Sequence, residues 1–116
     1  MSITFDKALG VHPQALALRL YRTELLSANL ANVNTPRFEA RDIDFKQELE
    51  RAALGVGTPA TPQLQYRVPI QPARDGNTVS LEVEQTVFTQ NVQEYQMGLA
   101  FLNMRFAGLR EAIEGK

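Results

Sequence analysis

His12 is the only histidine of the chain, and cysteine is absent. Any site needing two imidazoles or a thiolate is therefore excluded. His12 itself stands just before Pro13 and reads as a residue near a helix start. Asp42 and Asp44 are paired carboxylates, a type used for general acid–base work. They alternate just ahead of Phe45, however, and read instead as a turn and a helix cap. Glycine loops that cradle phosphate and metal-ligand spacings are missing. The expectation is no enzyme, no catalytic residue, no cofactor and no metal. The polar groups left to explain are amides. Asn29 and Asn32 lie three apart on one side of a helix end, where they can satisfy exposed carbonyls or bridge to another chain. At this level both uses stay open.

The elements that position these groups are dominated by one apolar seam. Phe88, Val92, Tyr95, Leu99, Leu102, Phe106, Leu109 and Ile113 alternate three and four residues apart, and the frame runs back through Gln85 to Leu81. Such spacing keeps one stripe toward a partner helix. A continuous helix from Leu81 to Ile113 is about 50 Å long at about 1.5 Å per residue. A compact domain of this size has a radius of gyration of only about 13 Å, so the chain is expected to be elongated. Met97, Phe101 and Met104 recur on the opposite side, where a helix with a single partner is polar. They form a second interface, expected to be covered by neighbouring subunits. Gly98 and Gly108 interrupt the helix at about 1 kcal/mol each against alanine, which suggests a close approach by another backbone.

The N-terminal helix is expected to start near Pro13, a residue tolerated in a first turn, and to run to about Val33. Leu18, Tyr21, Leu25 and Ala28 repeat the alternating spacing and complete the assembly seam. Asn34-Thr35-Pro36 stops the helix, because a residue before proline is pushed out of the α region. Asp44 caps a short helix over 45–54, with Phe45 and Leu49 on one face. Residues 55–62 form a Gly- and Pro-rich connection. Leu64, Tyr66 and Val68 alternate with polar residues in an extended arm. Residues 74–77 make a tight turn in which Gly76 and Asn77 tolerate positive φ, and Thr78 or Ser80 caps the last helix. The fold class is mainly α: an elongated, coiled-coil-like antiparallel pair of long N- and C-terminal helices with an irregular, partly extended middle segment. The chain divides into 1–36, 37–78 and 79–116 within a single structural domain.

Composition narrows the setting. With 116 residues only one domain and a modest core fit. The net charge is −1, and the scattered Lys and Arg make no basic stripe for nucleic acid. No apolar stretch reaches transmembrane length, and Met1 to Gly10 lacks the apolar core of a cleaved signal peptide.

The segment Ser27 to Phe38, with Asn29, Asn32, Thr35, Pro36 and Phe38, resembles the signature of bacterial flagellar rod and hook proteins at the end of their N-terminal helix. Residues 40–45, the turn Asp75-Gly76-Asn77, and Phe88, Asn91, Tyr95, Gln96 and Met97 resemble the proximal-rod branch of that family. Arg37 stands where the family pattern has Gly. The resemblance implies a structural subunit of the proximal rod of the flagellar basal body, part of the drive shaft that carries torque from the MS-ring to the distal rod and hook around the export channel. It implies self-association, contacts with FliE, FlgC, FlgF and the MS-ring, and location in the periplasmic rod. It also implies export by the flagellar type III apparatus without a cleaved signal peptide. Phe45 and Leu49 match the pattern read by the export gate, as do Phe5 to Leu9 and Phe88 to Val92. A coiled-coil adaptor or a type III secretion needle or inner-rod component shares the terminal helices and is the alternative.

Overall fold

The computed structural model describes residues 10, 12–54, 62–69 and 74–115. Helix α1 spans His12–Ala31, strand β1 Arg41–Asp42, helix α2 Phe45–Ala53, strand β2 Gln65–Tyr66 and helix α3 Leu81–Glu114. The molecule measures 64 × 29 × 17 Å with a radius of gyration of 18.1 Å, well above the roughly 13 Å of a compact chain this long. The expected elongated helical pair with an irregular middle is what forms. The apolar residues Ile3, Phe5, Leu9 and Val11 and most of the 55–62 connection lie outside the described residues.

Helix α1 is rich in Ala, Leu and Arg, which are strong helix formers, and carries Pro13 in its first turn. Helix α2 begins as expected, with the Asp44 carboxylate accepting from the Gln47 N–H. Helix α3 starts after Ser80, whose side chain makes no capping bond, and has Glu82 and Glu84 in its first turn. There the helix dipole favours negative charge. The Thr78 side chain is turned to the strand instead, where its hydroxyl accepts from the Ala40 N–H at 2.7 Å.

Helices α1 and α3 pair antiparallel. From one end of the pair to the other, Asn29 meets Glu84, Thr23 and Arg19 meet Asn91, Arg19 pairs with Glu94, and His12 stacks near Phe101 with ring centroids 4.8 Å apart. The line of closest approach on α3 is rotated from the apolar seam. Glu84 and Asn91 are fully buried, and a Cβ on Gly98 would sit 3.2 Å from Leu16 Cδ2. The close approach at Gly98 thus comes from a leucine side chain, whereas a Cβ on Gly108 would point into open space. Of the seam, Leu102 is buried and Phe88, Val92, Tyr95 and Leu109 are half-buried, while Leu81, Leu99, Phe106 and Ile113 are exposed. On α1, Leu18, Tyr21 and Leu25 are half-buried and Ala28 is exposed, while Leu26 is fully buried. The line 84, 91, 98 takes precedence because its small and hydrogen-bonding residues let the two helices approach and give their polar groups partners across the pair.

The middle segment packs back on the pair. Residues 38–42 run extended, pairing with β2 in an antiparallel register that sets Arg41 opposite Tyr66 and Asp42 opposite Gln65. On their other edge, the Thr78 N–H donates to the Phe38 carbonyl at 3.0 Å. The entry to this strand is a sharp turn at Arg37, where φ is +62° and the N–H donates to the Asp75 carbonyl at 2.8 Å. An L-residue in that left-handed region costs about 1–2 kcal/mol, and Arg37 stands where glycine, free of that cost, would be expected. Replacing Arg37→Gly is accordingly expected to stabilise the chain by about 1 kcal/mol, read as a higher urea midpoint at unchanged slope. A lower midpoint would mean that the arginine side chain supports the turn more than its backbone strains it.

Candidate functional site

The residues that tie the chain together form two adjoining polar clusters at the end of the helix pair where α1 finishes and α3 begins. The first is built on asparagine. Asn77 is buried, and its Nδ2 lies within reach of the carbonyls of Asn32, Val33 and Thr35 at 2.9, 3.1 and 2.7 Å. Those carbonyls belong to the turn that follows α1, and that of Asn32 also accepts from the Thr35 N–H at 3.0 Å. Asn77 Oδ1 accepts from the Val79 N–H at 2.7 Å, so the same side chain shapes the approach to α3. Asn32 Nδ2 donates to the Ala28 carbonyl at 2.7 Å, and the Thr35 hydroxyl donates to Asn32 Oδ1 at 3.0 Å. Asn29 does something different. Its Nδ2 donates to the Arg41 carbonyl at 2.8 Å and its Oδ1 accepts from the Arg41 N–H at 3.0 Å. The side-chain amide thus imitates one rung of a β-ladder, and Nδ2 also donates to Glu84 Oε2 at 3.1 Å. Both amides are engaged within the chain.

The second cluster is ionic. Asp42 accepts from Arg22 on both oxygens at 2.9 Å, from Arg67 at 2.8 Å, and from the Ile43 N–H at 2.7 Å. Arg67 Nε then meets Glu84 Oε1 at 2.6 Å, close in distance but not aligned as a hydrogen bond. Two cations and two anions alternate, so the cluster is neutral. It links α1, β1, the arm at β2 and α3. The hydrogen bond to Asp42 leads the effects that raise the Arg22 pKa above its ordinary value, so this guanidinium stays charged. Glu48 fastens α2 to the start of the arm, accepting from Arg51 at 3.1 Å and from the Gln63 N–H at 3.0 Å. Beyond the clusters, Asn91 Nδ2 donates to the Arg19 carbonyl and the Thr23 hydroxyl, while its Oδ1 has no hydrogen-bond partner. A lone buried asparagine of this kind fixes register between paired helices at some cost in stability.

The motif residues Asn29, Asn32, Thr35, Phe38, Asp75, Gly76 and Asn77 are brought together here, with exposed Pro36 closing the helix. The Asp75 carboxylate accepts from the Asn77 N–H at 3.1 Å. The apolar residues of the second interface stay apart from this cluster: Met97, Phe101 and Met104 are exposed along α3. Phe45, half-buried, lies beneath the Arg19 guanidinium at 3.9 Å, and Leu49 is half-buried on the same helix. Arg22, Arg67, Glu84 and Asn91 were not singled out from the sequence as site residues. A signal was there, since Glu84, Asn91 and Gly98 recur every seven residues as one heptad position does. Among the described residues no group of three or more His, Asp or Glu is arranged to hold a metal, and no helix is long and apolar enough to cross a membrane.

An elongated helical pair, spliced at one end by polar clusters and carrying exposed apolar faces elsewhere, defines a structural subunit made for assembly. Residues 9–38 match the family model of flagella basal body rod proteins. A relative from Aeromonas hydrophila, the flagellar basal body rod protein FlgB, is 44% identical, covering 100% of this chain and 99% of its own. FlgB of Cereibacter sphaeroides is 46% identical over 97% of this chain and 98% of its own. FlgB of Salmonella typhimurium is 39% identical over 95% of each. This chain belongs to the FlgB family of flagellar basal-body rod proteins.

Two substitutions test the clusters. Asp42→Ala leaves Arg22 and Arg67 facing one another with one carboxylate fewer, and breaking such a buried pair costs about 3–5 kcal/mol. Urea unfolding should show that loss, and a change below about 1 kcal/mol would mean the arm is not anchored through Asp42. At position 77, Asn77→Asp should destabilise more than Asn77→Ala. A carboxylate keeps the bond to Val79 but points negative charge at three carbonyls, whereas alanine merely removes the donors. The reverse order in thermal melts would show that Asn77 does not serve as the cap.

Proposed function

We propose that this rod subunit works mechanically and carries no active site. The observation behind this is the unpartnered apolar face of α3, where Met97 and Met104 are 69% and 70% exposed. Large apolar side chains contribute about 1.5–3 kcal/mol each only once covered, so neighbouring subunits complete the burial that a single chain leaves undone. The apolar seam over Leu81 to Ile113 and Leu18 to Ala28 serves the same end wherever the helix pair leaves it open. Leu81, Leu99, Phe106 and Ile113 face outward and are available to neighbours. Leu102 is buried within the chain's own structure, so a charge placed there would unfold the subunit before it tested assembly.

In this proposal the subunit sits in the proximal rod within the periplasmic space. It passes torque from the MS-ring toward the distal rod and hook, and helps surround the export channel. FliE, FlgC and FlgF are its neighbours. The chain reaches the rod through the flagellar type III export gate, which reads Phe45 and Leu49 while the chain is unfolded. In the folded chain Phe45 is covered by Arg19, so that signal would be withdrawn once the subunit has folded in place.

Electron microscopy of envelopes from a deletion strain tests the role. Basal bodies are expected to lack the rod, and a plasmid copy should restore it. Intact motile flagella in the deletion strain would overturn the role and return the chain to the adaptor class.

A further inference from the structure

The turn after α1 holds a strained residue whose charge the subunit does not use. Arg37 has φ +62°, a left-handed conformation that residues with a Cβ avoid. Its backbone is engaged, the N–H donating to the Asp75 carbonyl. Its side chain is exposed, and among the described residues the guanidinium takes part in no ion pair. The polar neighbours behave differently. Asn32, Thr35 and Asn77 all turn their side chains to the backbone or to one another, and so hold the turn. The Arg37 stem runs beside Gly76, where an added Cβ would lie 3.7 Å from Arg37 Cγ. The bond from Arg37 to Asp75 also brings the adjacent Arg74 to the same tip. Arg74 is exposed and likewise takes part in no ion pair among the described residues. The Asp75 carboxylate accepts from the Asn77 N–H of its own turn.

We propose that Arg37, with Arg74 beside it, is a contact residue for an acidic surface on an adjoining subunit of the rod. This deepens the rod-subunit role and rests on it. Glycine would meet the backbone requirement at position 37 without penalty, so the turn itself gives no reason for an arginine. Backbone strain that persists in a folded chain is found where the side chain serves a function. Within the subunit no carboxylate answers the Arg37 charge, so the compensation is expected from outside.

The chemistry of the side chain names the partner. A guanidinium presents a planar fork of donors that matches a carboxylate, and two of them on one tip suit a surface bearing more than one carboxylate. Two arginines on a chain of net charge −1 are too small a basic surface for a nucleic acid or an anionic membrane. An acidic protein surface remains, and the rod supplies adjoining subunits.

The test uses plasmid-borne variants in the deletion strain, with rods counted by electron microscopy and urea midpoints measured on the purified chains. Arg37→Lys and Arg37→Glu carry the same backbone penalty and differ in charge, so their midpoints should agree. The lysine variant should keep rods near the wild-type number. The glutamate variant should form at least about tenfold fewer, because it sets like charges face to face. Arg37→Gly should also form fewer rods than wild type, although its backbone strain is relieved. Wild-type rod numbers in the glutamate or glycine variant, or a lysine variant as poor as glycine, would overturn the proposal. Motile revertants of the glutamate variant provide a second measurement, which decides the matter if its midpoint falls. They should lose a carboxylate or gain a Lys or Arg on a surface away from this tip, in this chain or in another rod protein. Revertants confined to residues 35–37 and 74–77 or to buried positions would overturn it. If the wild-type plasmid fails to restore rods, the rod role itself falls, which keeps the two failures distinct.

Discussion

The buried carboxylate of Asp42 is the point on which the rest of the chain converges. It binds a cation from α1 and a cation from the arm, and Arg67 passes the connection on to Glu84 in α3. The middle segment has few apolar residues to hold it: Ala40 and Ile43 are its buried apolar contributors among the described residues. Without the ionic cluster, residues 62–69 would be placed only by a two-residue ladder and the Gln63 N–H to Glu48, and an isolated pair of short strands is marginal in water. Alternating charges keep the cluster neutral, which offsets much of the desolvation that isolated buried ions would suffer. Such a cluster contributes modestly to net stability compared with a well-packed apolar one. Its geometry, however, permits one arrangement of four segments.

The amides do for the backbone what the ions do for the side chains. Where α1 ends, three carbonyls meet a single Asn77 side chain, and Asn29 offers the strand at Arg41 both a donor and an acceptor. Buried backbone groups must find partners, and here asparagine supplies them at a junction where neither helix nor sheet continues. The end of α1 and the start of α3 are thereby spliced into one unit. Toward the other end, α3 continues past Phe101, which already lies beside His12 at the start of α1. The described structure thus pairs a tightly bonded end with a long helix bearing exposed apolar residues. That division suits a member of a rod family, in which one part of the subunit holds its own shape while another awaits neighbours.

Much of this was legible in the residues. The seam from Phe88 to Ile113 announced a long helix, Asp44 announced the start of α2, and the Asn29-to-Phe38 segment pointed to the rod family over a span that the family model also matches. The facing of the elements was harder to read. Apolar spacing on α3 favoured the whole seam from Leu81 to Ile113 as the inward line. Leu102 is buried and Phe88, Val92, Tyr95 and Leu109 are half-buried, but Leu81, Leu99, Phe106 and Ile113 are exposed, and Glu84, Asn91 and Gly98 lie nearest α1. The alternation of Leu64, Tyr66 and Val68 indicated an extended arm but not its facing, and Arg67 is the residue that turns inward. In both instances a polar partner elsewhere in the chain decided the facing. Arg67 has no visible reason to turn inward until Asp42 and Glu84 are seen on either side of it.

The sequence by itself determined the secondary structure and the elongation, because periodicity, proline stops and capping residues act between neighbours along the chain. It also determined the family, through the spacing of Asn29, Asn32, Thr35 and Pro36. Tertiary structure alone decided the helix register, the inward turn of Arg67, and the use of Asn29 and Asn77 as internal splices. The physical reason is that a buried charge or amide is tolerable only beside its complement. Those complements lie tens of residues away, where no local pattern along the chain records them.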